Sequence, residues 1–596
     1  MDSEIDEIIK KDHEGDEKQL EAIFSPDSRL VVEAPAGCGK TKTMVSKVSY
    51  MVAKNKVQQN KKILALTFSV NAAYKMKKDI CDKLPYMGVE GIKTPADING
   101  KIAVTNYHGF ARRVLHLYGY LLDEKLKDID YFQAINEEDD NFLNNSNVDD
   151  EEKQVLLSFS NAVKCANLET IEKYQNDYYR ILKDKLFDKK YITYNGYLFL
   201  CKKILQEYNQ LKIFYQMLYP VIIIDEFQDT NILSWNIVQQ LVGEHSQLFF
   251  MGDSLQRIYG FIGAIPNILD NAVEKYAMSK ITLDKNYRFR DNNDMLLLDR
   301  NIRLNAENFL LPRISEQASV TVELSETQEE EAQWVVSKVL ELLENEKECK
   351  VAILVKQRGS NIDVILNELK KQSIEYFYAL FSDEDDNYIK YHEEVLGIFF
   401  NELTSSKTKS INRTFLNKVQ SKISDNYKDD DSQIIFSLLK LTDAFFYKIL
   451  KEYKFLNNEE RISFINDTFK NRALKQNMDD IDSRVVVSTV HGAKGLEWEY
   501  VLLPDMEPYI FPNYNGLCGK CDYRRGRRTT GDYCRIVASE HDEKDILEEL
   551  SVFYVAITRA KKQVFFSASK KRYNARNEKK NSYISCFLTL PGIQII

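Results

Sequence analysis

The stretch VVEAPAGCGKTKT, Val31 to Thr43, places two glycines and several small residues between an apolar run and a Lys-Thr pair. The residues RLVVEA that lead into it have the pattern of a short buried strand, and the apolar residues that follow have helical spacing. A strand, a glycine-containing loop and a helix can together wrap backbone N–H groups around phosphate oxygens. The stretch therefore predicts an α/β fold with a phosphate-binding loop after an early strand.

Two side chains of this loop have chemistry that suits a nucleotide. The Lys40 ammonium would supply positive charge to the phosphates, and the Thr41 hydroxyl would bind Mg²⁺ at the start of the helix. Ala34 stands where such a loop usually has its first glycine. The residues predicted to surround the nucleotide here are Ala34, Pro35, Ala36, Gly37, Cys38, Gly39, Lys40, Thr41 and Lys42.

A second apolar run, in VIIIDEFQDT, ends in two adjacent carboxylates, Asp225 and Glu226. At the carboxyl end of a strand, Asp225 can hold Mg²⁺, and Glu226 can orient and deprotonate an attacking water. The carboxylate pair follows the phosphate loop along the chain, as such a site requires. Together the two elements predict a hydrolase of ATP or GTP.

Short apolar runs alternate with helical patterns along the whole chain, which predicts parallel sheets covered by helices on both faces. The runs form two groups, so we expect two α/β cores. The expected strands are 62–68, 101–107, 220–226 and 246–253 in the first core, and 320–324, 350–355, 484–490, 500–505 and 563–568 in the second. A polar, helix-rich stretch without strand signals interrupts each core, at 118–190 and 382–482.

The composition is that of an ordinary globular protein, with 44% apolar and 29% charged residues in a chain of 596. No apolar run approaches the ~18 residues that a membrane span needs, and the acidic first residues do not resemble a targeting segment. Nine scattered cysteines indicate a reduced compartment, so we expect a cytoplasmic protein. Because the net charge is −9, a nucleic-acid partner would have to bind a local basic surface.

Nine segments resemble, in order, the helicase motifs of the UvrD/Rep/PcrA branch of superfamily 1, from about residue 14 to about residue 567. They are DEKQLEAIFS, APAGCGKT, ILALTFSVNAAYKMKKDI, NYHGFARRVL, IIIDEFQDT, MGDSLQRIYGFIGA, LDKNYRF, VSTVHGAKGLEWEYVLLP and VFYVAITRA. The resemblance implies two RecA-like domains, each with a helical insertion. The implied boundaries are 1–117 and 191–280 for the first domain, 118–190 for its insertion, 281–381 and 483–596 for the second domain, and 382–482 for a reduced second insertion.

The resemblance also assigns roles around ATP. Gln19 matches the glutamine that reads adenine, Tyr287 matches the tyrosine that stacks on the base, and Glu497 is similar to a ribose contact. Gln256 is similar to a sensor of the γ-phosphate. The two arginines that would reach this phosphate from the second domain are Arg288 and Arg559.

The implied single-stranded DNA track contains Phe68 and Phe261, which match aromatic residues that stack on bases. Taken alone, either phenylalanine also fits a core residue. The other implied contacts are His108, Tyr259, His491 and Lys494. The chain departs from the family at Lys42, where an arginine is usual, and at GFIGA, where Ile262 replaces an arginine.

A Cys/Arg-rich loop at 512–545 contains Cys518, Cys521 and Cys534, followed by His541. A C-x₂-C pair is half of a common zinc site. The remaining spacing departs from that of such sites, so both a zinc site and an ordinary exposed loop stay open.

From these observations we expect an ATP-dependent 3′→5′ DNA translocase and helicase that acts on single-stranded or 3′-tailed DNA in DNA repair or anti-phage defence. The alternative is a DNA-sensing ATPase subunit that regulates a separate partner nuclease and unwinds little. A motor on RNA is a further alternative, but nothing in the sequence indicates 2′-hydroxyl readout.

Overall fold

The computed structural model describes residues 2–54, 56–58, 60–87, 95–382, 385–406, 410–521, 529–537, 541–573 and 578–596. A parallel six-stranded sheet organises the first core, in the order β3-β2-β4-β5-β1-β6. Its strands are β1 (Arg29–Glu33), β2 (Ile63–Thr67), β3 (Ile102–Asn106), β4 (Val221–Ile224), β5 (Gln247–Gly252) and β6 (Ser279–Thr282).

The central strands of this sheet are apolar because helices cover both of its faces. Every residue of β2 and β4 is buried, as expected of a parallel sheet. The covering helices are Asp2–Asp12, Glu17–Phe24, Lys40–Ala53, Val70–Tyr86, Pro95–Lys101, Tyr107–Tyr118, Tyr194–Glu207, Asn209–Leu218, Ile232–Leu241 and Ile268–Tyr276. Since β1 and β4 run in the same direction, the loop after β1 and the carboxylates after β4 meet at one edge.

A second parallel six-stranded sheet has the order β7-β12-β11-β8-β10-β9. Its strands are β7 (Val322–Ser325), β8 (Val351–Val355), β9 (Phe377–Ala379), β10 (Val485–Thr489), β11 (Trp498–Leu503) and β12 (Ala560–Ser569). The helices of this core are Asn293–Glu307, Gln328–Asn345, Ser360–Lys371 and Glu543–Ile557. The prediction of an α/β fold with two parallel-sheet cores is confirmed.

The stretch between β3 and β4 contains the helices Asp140–Asn145, Asp150–Lys164 and Leu168–Ile181. The expectation that 118–190 lacks strands is wrong at Gln133–Ile135, which pairs in parallel with Tyr191–Thr193 just beyond this range. These strands have three residues each, too few for an alternating pattern to show in the sequence.

The stretch between β9 and β10 contains the helices Asp386–Ser405, Arg413–Asn426, Gln433–Lys451 and Asn458–Lys470. None of the helices in the described ranges is long and apolar enough to cross a lipid bilayer.

The last of these four helices packs on the first core. The ring of Phe464 stacks on Tyr74 with centroids 3.7 Å apart, and Glu460 forms an ion pair of 2.5 Å with Lys77. Asp467 pairs with Arg112, and both side chains are largely buried. A cavity of about 1110 Å³ lies beside these contacts, between the second helical stretch and the first core.

The Arg112–Asp467 pair gives a stability prediction. Replacement of Asp467 by asparagine leaves the largely buried guanidinium without its counter-charge, so the free energy of unfolding should fall by about 1–3 kcal/mol. Urea denaturation measures this free energy of unfolding. The control is Asp82→Asn, which breaks an exposed pair with Lys78 and should cost less than about 0.5 kcal/mol. Equal effects of the two substitutions would contradict this account.

Candidate nucleotide and nucleic-acid site

The loop between β1 and the helix Lys40–Ala53 requires both of its glycines. Gly37 and Gly39 have φ values of +79° and +78°, the left-handed region that favours glycine. A Cβ on Gly37 would lie 2.5 Å from Asn286 Oδ1, and one on Gly39 would lie 2.6 Å from Gln19 Nε2. The loop is therefore confined between the N-terminal segment and the chain that enters the second core.

Lys40, Asp225 and Glu226 meet at the edge where β1 and β4 end. Lys40 Nζ lies 2.6 Å from Glu226 Oε2, and the two side chains are 12% and 26% exposed. Gln228 Nε2 donates to the same carboxylate at 2.5 Å. Glu226 has a φ of +49°, a strained conformation for a residue with a side chain, which is typical of functional sites.

The two neighbouring carboxylates have opposite pKa shifts. Burial works to raise the pKa of Glu226, but the charges of Lys40 and Lys494 hold it well below its usual value. Burial and the adjacent charge of Glu226 raise the pKa of Asp225. Glu226 is therefore firmly ionised. A cation that approaches Asp225 would stabilise the ionised form of its carboxylate.

Gln19 and Tyr287, the predicted base contacts, share Asp16 as an anchor. Gln19 N–H donates to Asp16 Oδ1 at 3.0 Å, and the Tyr287 hydroxyl donates to Asp16 Oδ2 at 2.7 Å. Gln19 Nε2 also donates to the Cys38 carbonyl at 2.9 Å. One carboxylate thus holds both groups beside the phosphate loop.

The two predicted phosphate-contacting arginines hydrogen-bond to the second core. Arg288 donates to Glu497 and to the Thr558 carbonyl. Arg559 is buried and donates to the carbonyls of Val555 at 3.0 Å and Leu496 at 3.2 Å. Burial and the neighbouring charge of Arg288 lower the pKa of Arg559 to about 10. To reach a phosphate, Arg288 has to exchange its contact with Glu497.

Lys494 joins the two cores. Its ammonium lies 2.5 Å from Asp229 Oδ2, donates to the Gln256 carbonyl at 2.8 Å and lies 4.5 Å from the centroid of the Tyr259 ring. Gln256 Nε2 donates to Asp253 at 2.9 Å. Burial raises the pKa of Asp229 to about 6, with Lys494 opposing this shift.

Phe68, His108 and His491 are further residues of the predicted DNA track. The Phe68 ring is half-buried and stacks on Tyr259 with centroids 4.8 Å apart. His108 and His491 are also half-buried, and burial lowers the pKa of each imidazole to about 4, so both rings are neutral at pH 7. The Phe261 side chain lies outside the described part of the chain, so its predicted role is untested.

Lys42 and Thr41 are exposed at the start of the helix Lys40–Ala53. Lys42 donates to the Asp12 carbonyl and lies 3.6 Å from its carboxylate. Lys42, which stands where the family usually has an arginine, therefore contacts the N-terminal helix Asp2–Asp12.

The zinc prediction at Cys518, Cys521 and Cys534 is not supported. In the described part of the chain, no group of three or more His, Cys, Asp and Glu side chains is arranged to hold a metal ion. Cys518 accepts from Tyr509 N–H at 3.2 Å, and Cys521 lies 3.2 Å from His541 Nε2. Residues 522–528 and 538–540 of the predicted loop lie outside the described residues.

Sequence reasoning missed Asp229, Asp16 and His13. Asp229 stands three residues after Glu226. In a helical turn, residues at this spacing project from the same face, so the spacing could have identified Asp229. Asp16 caps the helix Glu17–Phe24, a role that sequence alone suggests. His13 contacts Gln19, and no sequence pattern connects the two residues.

The fold and this site define a nucleotide hydrolase built from two parallel α/β cores. A model of the UvrD/REP helicase N-terminal domain matches residues 16–277. A model of the UvrD-like helicase C-terminal domain matches residues 281–444 and 388–571. The two models cover most of the chain, so the protein belongs to the UvrD/Rep/PcrA family of ATP-dependent DNA helicases.

Curated relatives match the chain along nearly its whole length. A probable DNA helicase II homolog of Mycoplasma genitalium is 24% identical, with 93% of this chain and 84% of the relative covered. The ATP-dependent DNA helicase PcrA of Bacillus subtilis is 23% identical, with 93% and 82% covered. The ATP-dependent DNA helicase Rep of Buchnera aphidicola is 22% identical, with 93% and 94% covered.

The Lys40–Glu226 contact gives a prediction about hydrolysis. Glu226→Gln removes the carboxylate that would take the proton of water, so phosphate release should fall below about a tenth of wild type while ATP binding persists. Lys40→Ala should weaken ATP binding as well. Phosphate release and fluorescent-ATP titration measure the two effects. The exposed Glu21→Gln serves as control, and rapid hydrolysis by Glu226→Gln would assign the base to another group.

Proposed function

We propose that the protein is a motor that hydrolyses ATP, moves 3′→5′ along single-stranded DNA and separates duplex DNA. The observation that supports this best is the position of Lys494, which contacts Asp229 and Gln256 of the nucleotide site and the Tyr259 ring of the DNA track. A single side chain thus connects nucleotide chemistry with strand binding.

ATP would bind between the cores, with its base at Gln19 and Tyr287 and its phosphates at the loop before Lys40. The donors present fit Mg²⁺, because the Thr41 hydroxyl and the buried Asp225 carboxylate supply the oxygen ligands that this ion prefers. When bound, the ion would neutralise charge on the phosphate oxygens.

Glu226 would act as the general base. Water attacks the γ-phosphorus, its proton passes to the Glu226 carboxylate, and ADP leaves. While Lys40 lies 2.6 Å from Glu226, the ammonium makes this carboxylate a weak base. Phosphate oxygens compete for Lys40, so ATP itself would raise the basicity of Glu226.

Closure of the cores would bring Arg288 and Arg559 to the γ-phosphate, where their charge stabilises the leaving phosphoryl group. Lys494 belongs to the same core and would move with them relative to Tyr259 and Phe68. Bases that stack on these rings would then be displaced by one step per hydrolysis cycle.

The family membership supports DNA as the track, and the 3′→5′ direction rests on the resemblance of the motifs. Steady-state ATPase activity and strand displacement should be measured on single-stranded, 3′-tailed, 5′-tailed and blunt DNA. We expect stimulation by single strands and displacement of 3′-tailed duplexes. Preference for 5′ tails would overturn the direction, and DNA-stimulated ATPase without displacement would indicate the DNA-sensing subunit of a partner nuclease.

The Phe68–Tyr259 pair allows the DNA track to be tested separately from hydrolysis. Phe68→Ala should leave ATPase activity without DNA near wild type, because the ring contact that the structure describes for Phe68 is with Tyr259 and not with a hydrolytic group. Loss of one stacking contact, worth ~1–3 kcal/mol, should reduce both DNA stimulation and unwinding. Phe214→Ala, at an exposed phenylalanine of the helix Asn209–Leu218, serves as control. Unchanged unwinding by a stable Phe68→Ala protein would show that the strand passes elsewhere.

A further inference from the structure

Arg303, a residue of the second core, reaches across to the first core close to the nucleotide site. It lies on the helix Asn293–Glu307 and donates to Asp253 Oδ1 at 2.8 Å. The Arg303 side chain is 13% exposed, and that of Asp253 is fully buried. Burial works to lower the pKa of Arg303, but the charge of Asp253 holds it well above its usual value. Since Asp253 directly follows β5, this ion pair joins the two cores.

Hydrogen bonds connect the first-core end of this pair to the proposed base. Asp253 N–H donates to Gln228 Oε1 at 3.0 Å, and Gln228 Nε2 donates to Glu226 Oε2 at 2.5 Å. Gln228 is 1% exposed. Reversal of its amide would set donor against donor and acceptor against acceptor, so the amide has one orientation. The position of Asp253 therefore sets the hydrogen bond that orients the Glu226 carboxylate.

The second-core end of the pair meets the helix that leads into Arg559. Arg303 also donates to the Tyr554 hydroxyl at 3.2 Å. Because a guanidinium can only donate, the Tyr554 oxygen accepts here, and its own proton goes to Asp299 Oδ1 at 2.8 Å. Tyr554 is fully buried in the helix Glu543–Ile557, and Arg559 stands just beyond the end of this helix.

The same hydrogen bonds extend to the segment in which the chain crosses from the first core to the second. Asn286 of this segment donates from Nδ2 to Asp299 Oδ2 at 3.3 Å and to the Ala36 carbonyl at 3.0 Å. Its Oδ1 accepts from Arg288 N–H at 2.9 Å. Both arginines proposed to contact the γ-phosphate are thus held by neighbours of one buried network.

We infer that Arg303 is a positioning residue that couples the orientation of the Glu226 carboxylate to the position of the helix leading into Arg559. The inference rests on the proposed function, in which Glu226 activates water and Arg559 approaches the phosphate. Closure of the cores moves this helix, and Arg303 transmits the movement to Asp253. The base is then aligned in the same step that brings in the arginine, and fast hydrolysis needs both groups in place.

Tyr554→Phe tests the inference, because it removes one hydroxyl of the network and leaves the ring in place. With single-stranded DNA present, kcat should fall about 10-fold, while KM and the dissociation constant for fluorescent ATP should change less than about 2-fold. Loss in kcat alone is expected of a residue that acts on the transition state. The matched control is Tyr178→Phe, which removes a buried hydroxyl that donates to Glu137 Oε1 at 2.9 Å in the first helical stretch. It should keep the wild-type kcat.

A double substitution shows whether the effect runs through Gln228. Gln228→Met breaks the network at the base with a side chain of similar volume, and should itself lower kcat. If Tyr554 acts through this residue, adding Tyr554→Phe to Gln228→Met should lower kcat less than about 2-fold further, whereas independent effects would multiply. Single-turnover phosphate release compares the wild type, the two single variants and the double variant. A general loss of rigidity would not produce this non-additivity.

The outcomes separate this inference from the proposed function. A wild-type kcat in Tyr554→Phe, an equal loss in Tyr178→Phe, or multiplied effects in the double variant would overturn the role of Arg303. If Tyr554→Phe does not fold, Arg303→Lys replaces it under the same criteria, since it keeps the charge beside Asp253 but loses the fixed geometry of the guanidinium. A wild-type protein that hydrolyses ATP but displaces no duplex would overturn the proposed motor alone, because the kcat comparison still decides the inference. A wild-type protein that hydrolyses no ATP would overturn both.

Discussion

The contact between Lys40 and Glu226 is the interaction on which the rest of this molecule depends. It exists because β1 and β4 are parallel strands of one sheet, so the residues that follow them meet at the same edge. The contact places a buried positive charge beside the carboxylate that would activate water. In the proposed function, phosphate oxygens would compete with Glu226 for this lysine and so raise the basicity of the carboxylate.

The surface between the two cores is rich in ion pairs. Lys494 pairs with Asp229, Arg303 with Asp253 at 2.8 Å, and Arg257 with Glu548 at 3.5 Å. An interface held by ion pairs opens more readily than a close-packed apolar interface, because its charged groups can exchange their partners for water or phosphate. The proposed motor, which would open and close with each nucleotide, needs such a surface. The second helical stretch is also docked through an ion pair, between Asp467 and Arg112.

Much of the architecture could be predicted from sequence because its signals are local. Buried parallel strands are continuous apolar runs, so the expected strands of both cores match those observed, with shifts of one to three residues at most ends. β6 and β9 were missed, since SKIT at the sheet edge has only one buried residue and FYA has only three residues. The segment expected as one strand at 320–324 divides, because Ala318–Val320 pairs with Ile593–Ile595 and β7 joins the second sheet.

The sequence by itself determined the phosphate loop, the paired carboxylates and the family, because each is a short motif whose chemistry needs those residue types at that spacing. Tertiary structure alone decided which groups engage those residues: His13 beside Gln19, Lys494 beside Asp229 and Arg288 beside Glu497. These contacts join residues 6 to 265 positions apart, and only the packing of whole elements against one another brings such residues together.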